Sequence, residues 1–266
     1  MDLFLKDKRA LVTGGSKGIG RAIARALLDE GVRVVISGRD RAAAEAAALD
    51  LAAETGGEVH ALIADTRDDA AVDALIADAV ERLGGLDIVV NNAARPGLPG
   101  KVPGVAGVTS DGLLEELDTK LVGYLRAARA AAPHLVANGW GRIINISGLA
   151  ARQTTTISGS TRNVAVSALT KALADELGPK GVNVTVVHPG ATRTEKTAAL
   201  IAARAAADSI SDAEAEKALF GGNLIGRIVD AAEIGGIVAF LASPRSDAIT
   251  GDAIAAGGGT PRVIHY

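Results

Sequence analysis

The chain has no cysteine, so a disulfide, a thiolate nucleophile and a thiolate metal site are all excluded, and a reducing compartment, the cytoplasm, is expected. Aromatic residues make up only 2%, and Trp140 and the three phenylalanines are too dispersed for a base-stacking surface. Neither sign of charge is in large excess. The 28 Lys and Arg against 31 Asp and Glu leave −3, with no broad attraction to nucleic acid or an anionic membrane, so the expected partner is a small molecule. No apolar run approaches the roughly 18 residues that span a bilayer. The opening Met1 to Ala10 is broken by Asp2, Lys6, Asp7, Lys8 and Arg9, which argues against a secretion signal. His60, His134, His188 and His265 are scattered, and no His/Asp/Glu spacing suggests a metal. What is abundant is apolar residues, 48% of 266, enough for one large core and a single domain over 1–266.

Short β-branched runs alternate with longer Ala/Leu-rich amphipathic stretches, the pattern of a parallel sheet with crossover helices. Arg9 to Thr13 reads as a strand, followed by a glycine-rich turn and a helix striped by Ile19, Ala22, Ile23, Ala26 and Leu27. Strands follow at Val32 to Ser37, Val59 to Ala64, Leu86 to Asn91, Arg142 to Ile146, Val182 to Val187 and Ala248 to Ala255, seven in all. Helices are expected at Arg41 to Glu54, around Val72 to Val80, from Asp111 to Ala137, from about Val164 to Leu177 and at Ala231 to Leu241. Pro96 to Gly107 reads as a loop. The segment 191–226, with Gly221-Gly222 and weak strand propensity, reads as a mobile insert outside the sheet that covers the substrate. Strands this apolar imply helices on both faces.

Thr13-Gly14-Gly15-Ser16-Lys17-Gly18-Ile19-Gly20 joins the first strand to the first helix, where glycines let the backbone approach a diphosphate and free helix N–H groups face it. This TGxxxGxG turn, the strand-ending Asn91-Asn92-Ala93-Ala94, Pro189-Gly190 and Thr250-Gly251 together resemble the short-chain dehydrogenase/reductase family over nearly the full length. The resemblance implies a Rossmann-like, doubly wound α/β domain with a seven-stranded parallel sheet, and a nicotinamide cofactor. It places Gly14, Ser16, Lys17, Gly18, Ile19 and Gly20 at the diphosphate, Asp65 and Thr66 by the adenine, and Asn91 and Ala93 along the cofactor. Pro189, Gly190, Thr192 and Thr194 fall near the nicotinamide amide. Asn91 serves equally well as a strand tie and Asp65 as a loop cap.

The end of the second strand bears on cofactor choice, because a carboxylate there binds the adenosine ribose and repels a 2′-phosphate. Gly38 occupies that place, with Arg39 next and Lys17 nearby, two cations suited to a phosphate. NADP(H) is therefore expected over NAD(H). Arg39 is otherwise a solvated helix-start residue, and Asp40 either caps its helix or, as a ribose ligand, reverses the preference.

The family's usual proton machinery is a tyrosine with a lysine four residues later, a serine and an upstream asparagine. The only tyrosines here are Tyr124 and Tyr266, and Tyr-x-x-x-Lys is absent. Anchoring on Asn163 to Leu169 puts Gly159 in the tyrosine place, which would open space near the nicotinamide, and Asn163 in the lysine place. Lys120-Leu121-Val122-Gly123 resembles an Asn-Leu-x-Gly segment with lysine for asparagine, and either Ser147 or Gly148 stands at the serine. General acid–base help is worth about a hundred- to ten-thousandfold. Without the usual groups, Lys120, Arg162 or Asn163 supplies the proton while Ser147 polarises the substrate, or the acceptor is an activated carbonyl, imine or alkene that needs little acid. Arginine is a poor acid, which leaves Lys120 as the ordinary donor, although Glu116 four residues earlier offers it a plain ion pair. The competing class is a non-redox or silent nucleotide-binding protein on the same fold. By resemblance, the helices around 120–133 and 164–177 build a homotetramer, or a dimer.

Overall fold

The computed structural model describes residues 1–94 and 104–262. Most of the Pro96 to Gly107 loop, His265 and Tyr266 lie outside the described residues.

The first half is three consecutive strand–helix units: β1 (Arg9–Thr13), α1 (Gly18–Asp29), β2 (Arg33–Gly38), α2 (Arg41–Thr55), β3 (Val59–Ile63) and α3 (Asp69–Leu83). Asp40 and Asp68 cap α2 and α3 by accepting from Ala43 N and Ala71 N, and Gly56 and Gly84 end them in the left-handed conformation. After β4 (Ile88–Asn91), α4 (Ser110–Leu117) runs through a π-helical turn at Asp118–Val122 into α5 (Gly123–Ala137). The single long helix expected from the sequence is therefore interrupted by one wide turn. Then come β5 (Gly141–Ile146), α6 (Ile157–Leu177) and β6 (Val182–Pro189). Helix α6 starts seven residues before the apolar stripe that betrays it, because Thr156 caps it through Gly159 N.

The segment expected to be a mobile insert is built from β7 (Thr192–Arg193), α7 (Thr197–Asp208) and α8 (Asp212–Phe220). Ile201, Ala205 and Ala215 give α7 and α8 a small core of their own, and β7 pairs with β8 (Val229–Asp230) outside the main sheet. Helix α9 (Ala231–Ala242) and β9 (Ala253–Ala256) finish the fold. The last strand is shorter than expected because Ser246 to Gly251 is spent on turns.

The main sheet has seven parallel strands in the order β3-β2-β1-β4-β5-β6-β9. Alternation along each strand sends neighbours to opposite faces. Val12, Ile36, Val90 and Ile144 pack with α1, α2 and α9, while Leu11, Val35, Val89 and Ile143 pack with α3, α5 and α6. With both faces covered, the open ends of the strands are where a ligand can reach the sheet. The strand order reverses between β1 and β4, and a ligand crevice belongs beyond the carboxyl ends at that switch point.

Candidate cofactor and active site

A cleft of about 460 Å³ opens there, lined by the glycine turn, the end of β2, Ala64 to Thr66, Asn92 to Ala94, Thr119 and Thr194 to Lys196. Its floor is held by the β1–β4 pair. The Thr13 hydroxyl accepts from the backbone of Asn92 and Ala93 at 3.0 and 3.1 Å, and Asn92 Nδ2 donates to the carbonyls of Thr13 and Gly14. Gly14 and Gly18 take positive φ, 65° and 56°. At Gly20 a Cβ would stand 2.2 Å from the Gly14 carbonyl oxygen, so the turn closes only without a side chain.

Of the residues expected at the cofactor, Gly14, Ser16, Lys17, Gly18, Ile19, Gly20, Arg39, Asp65, Thr66, Ala93 and Thr194 line this cleft. Asn91 does not: it is buried, and its Nδ2 donates to Asn145 Oδ1 at 2.9 Å, tying β4 to β5. Pro189 and Gly190 pack against β9, and the Thr192 hydroxyl donates to the Gly190 carbonyl. The Asp65 carboxylate is bridged by Arg67 at 2.7 Å, whose hydrogen bonds hold it below its ordinary pKa. Arg39 and Lys17 are exposed on the rim, and the Asp40 carboxylate is engaged in capping. Asn92, Thr119, Glu195 and Lys196 also line the cleft without having been singled out from the sequence. Asn92 lay in plain view beside Asn91; nothing local marks the other three.

Three of the four candidate catalytic residues meet at the carboxyl end of β5. Lys120 is 4% exposed, and its Nζ donates to the Ser147 carbonyl at 2.9 Å and to Asn163 Oδ1 at 3.0 Å. The π turn puts it there: the wider turn rotates Lys120 off the outer face that α4 shares with Glu116. Glu116 instead pairs with Arg162 at 3.0 Å, so the ion pair expected for Lys120 is not formed. Burial, reinforced by the nearby Arg162 charge and opposed by Glu116, brings the Lys120 ammonium down to about 7. The Ser147 hydroxyl donates to the Asn163 carbonyl at 3.1 Å, so its proton is directed at α6. A Cβ at Gly148 would meet Asn163 Nδ2 at 3.0 Å, and one at Gly159 would meet the Thr156 cap oxygen at 2.6 Å.

Tyr124 is buried on α5 and donates to the Ile146 carbonyl at 2.8 Å; burial pushes its phenol above the ordinary range, which suits structure and not proton transfer. His188 is buried at the end of β6 and burial lowers it to about 4, leaving it neutral. Among the described residues, no three His, Asp or Glu side chains converge as a metal site, and no helix is long and apolar enough to cross a membrane.

The family model described as enoyl-(acyl carrier protein) reductase matches residues 14–260. A short-chain reductase protein of Streptomyces niveus is 35% identical over 268 residues, covering 96% of this chain and 95% of its own. The crystal structure of L-sorbose reductase from Gluconobacter frateurii, complexed with NADPH and L-sorbose, superposes with a TM-score of 0.92 at 25% identity over 99% of this chain and all of the other. A variant of actinorhodin polyketide ketoreductase with NADPH gives 0.86 at 32% identity, covering 96% and 98%. With the glycine turn, the strand order and the full-length match in agreement, the chain belongs to the short-chain dehydrogenase/reductase family of oxidoreductases.

Proposed function

We propose that this protein is an NADP(H)-dependent reductase of an activated carbonyl, imine or alkene in a small organic molecule, with Lys120 in place of the family's usual proton machinery. The observation that carries the reading is the Lys120–Asn163 contact: an ammonium is held beside position 163, from the opposite helix, where the family resemblance calls for a lysine.

The cleft fits a dinucleotide. The Gly14 to Gly20 turn closes against β4 only because position 20 has no Cβ, and α1 directs its N-terminus into the cleft, where a diphosphate is held. Arg39 and Lys17 stand at the rim for the 2′-phosphate, and capping engages the Asp40 carboxylate that would otherwise favour NAD(H). Bound NADPH supplies the hydride. Thr194 and Ala93 position the cofactor within the cleft, and Asp65 and Thr66 flank the adenine. Lys120 holds a proton that it gives up near neutral pH, and Asn163 and the Ser147 carbonyl fix its amine. Arg162, braced by Glu116, keeps the Lys120 charge in check. Helices α7 and α8 cover the substrate. Leu125 on α5 and Val164 on α6, 41% and 50% exposed, support a homotetramer built through these helices.

The test is to mix the protein with NADPH and a panel of ketones, imines and enones and to follow cofactor absorbance. Turnover of at least one class is expected. NADPH binding with no oxidation across the panel would instead favour a silent nucleotide-binding protein.

A further inference from the structure

Helices α2, α3, α4, α6 and α8 are each capped by a side chain from their own first residues: Asp40, Asp68, Thr109, Thr156 and Ser211. Helices α1 and α7 are not: their N-caps are Lys17 and Lys196, whose side chains have no acceptor, and neither first turn contains an acid. The N–H of Gly18 donates instead to Glu195 Oε1 at 2.8 Å, a carboxylate brought from 177 residues away. The loop lies close over the turn, since a Cβ at Gly18 would stand 3.4 Å from Thr194 Cγ2 and 3.9 Å from Glu195 Oε2.

We infer that Glu195 occupies the diphosphate position of the cofactor cleft and acts as a latch, so that capturing NADP(H) and freeing the start of the substrate-covering insert are a single event. This rests on the NADP(H) reading of the cleft. A carboxylate is stabilised at a helix N-terminus for the same reason that a diphosphate is, and the two anions cannot share one set of N–H donors. The cofactor therefore binds only the fraction of molecules in which Glu195 has left, which weakens its apparent affinity.

Displacement of Glu195 is transmitted to the insert. Thr194 and Thr197 hold each other through Thr194 N to Thr197 Oγ1 at 2.9 Å and Thr197 N to the Thr194 carbonyl at 3.0 Å, which fixes Glu195 to the first turn of α7. Two residues before Glu195, Arg193 pairs with Glu216 of α8 at 2.6 Å and with Asp230 at 3.1 Å. The latch thus sits on a segment clamped to both helices of the insert.

The experiment compares wild type with Glu195→Ala by calorimetry with NADPH and with adenosine 2′-monophosphate, which lacks the diphosphate, and by hydrogen exchange of the cofactor-free proteins. The variant is expected to bind NADPH about three- to thirtyfold more tightly, to bind adenosine 2′-monophosphate within about twofold of wild type, and to exchange faster at the Gly18 amide and across 194–200. Equal or weaker NADPH binding by the variant overturns the latch. Tighter binding of both ligands with unchanged exchange also overturns it, because the carboxylate would then act only as a repelling charge. The exchange measurement needs no cofactor, so if wild type binds no NADPH the proposed function falls while the Glu195–Gly18 contact is still decided.

Discussion

The Lys120 ammonium and the Asn163 amide oxygen face each other at 3.0 Å across the seam between the π turn and α6, both side chains buried. The lysine is hydrogen-bonded to two neutral acceptors and to no carboxylate, and the loss of water, reinforced by the Arg162 charge and only partly opposed by Glu116, brings its pKa down to about 7. Reduction needs the protonated amine and oxidation the neutral one. With cofactor saturating, kcat/KM for reduction should fall as pH rises through about 7, and the reverse reaction should rise over the same interval. Lys120→Met should flatten both profiles and lower the rate by about a hundred- to ten-thousandfold. An unchanged profile in the variant would remove Lys120 from the chemistry.

Arg39 stands at the rim of the cleft just past β2, and Asp40 beside it spends its carboxylate on Ala43 N. A charged hydrogen bond to a phosphate is worth about 1.5–3 kcal/mol. Arg39→Ala should therefore weaken NADPH by roughly ten- to a hundredfold while leaving NADH nearly unaffected. Titration of both cofactors against wild type and variant reads this directly; equal losses for the two would mean that Arg39 does not see the 2′-phosphate.

Much of the scaffold was legible from periodicity alone, because a strand buried on both faces, such as Val34 to Ile36, leaves an uninterrupted β-branched run and each amphipathic helix leaves its stripe. The glycine turn was legible for a different reason: positive φ at Gly14 and Gly18 favours glycine, and the contact at Gly20 excludes a side chain. Long-range side-chain choices were hidden. Glu116 sits four residues before Lys120, a spacing that pairs them on a regular helix, yet a π turn between them hands Glu116 to Arg162. Asn91 ends β4 and Asn92 follows it directly, so one had to face the core and the other the cleft, and only the register fixed which. Glu195 reaches Gly18 across 177 residues of sequence and leaves no local signature at all.

His188 is buried at the end of β6, its Nε2 3.4 Å from the Ser167 hydroxyl, and burial with the charges of Arg152 and Lys120 lowers it to about 4 from an ordinary 6.5. The unfolded chain thus binds the proton more readily between those two values. Stability is full above about 6.5 and is lost as pH falls toward 4, by up to about 3 kcal/mol. Urea unfolding at pH 7 and pH 4.5 should show this loss, and His188→Gln should reduce it. That window lies above the range in which Asp65 and Asp69, both held below their ordinary pKa by arginine, become protonated.

Two glycines on helices separate steric need from chance. At Gly20 an added methyl would lie 2.2 Å from the Gly14 carbonyl oxygen and 2.4 Å from Asn92 Nδ2, and the first of these is backbone that cannot swing aside. Gly20→Ala must lift the turn off β4 and strain the bonds from Asn92 to the Thr13 and Gly14 carbonyls. The cost should be about 1–3 kcal/mol of stability, with NADPH and NADH weakened alike because the diphosphate seat is common to both. At Gly236, on α9, nothing lies within 4 Å of the same methyl. Gly236→Ala should gain up to about 1 kcal/mol from helix propensity and the reduced freedom of the unfolded chain. Thermal melts of the two variants should therefore move in opposite directions; a Gly20→Ala protein with unchanged melting temperature and cofactor affinity would show that the turn is not closed as tightly as the contact requires.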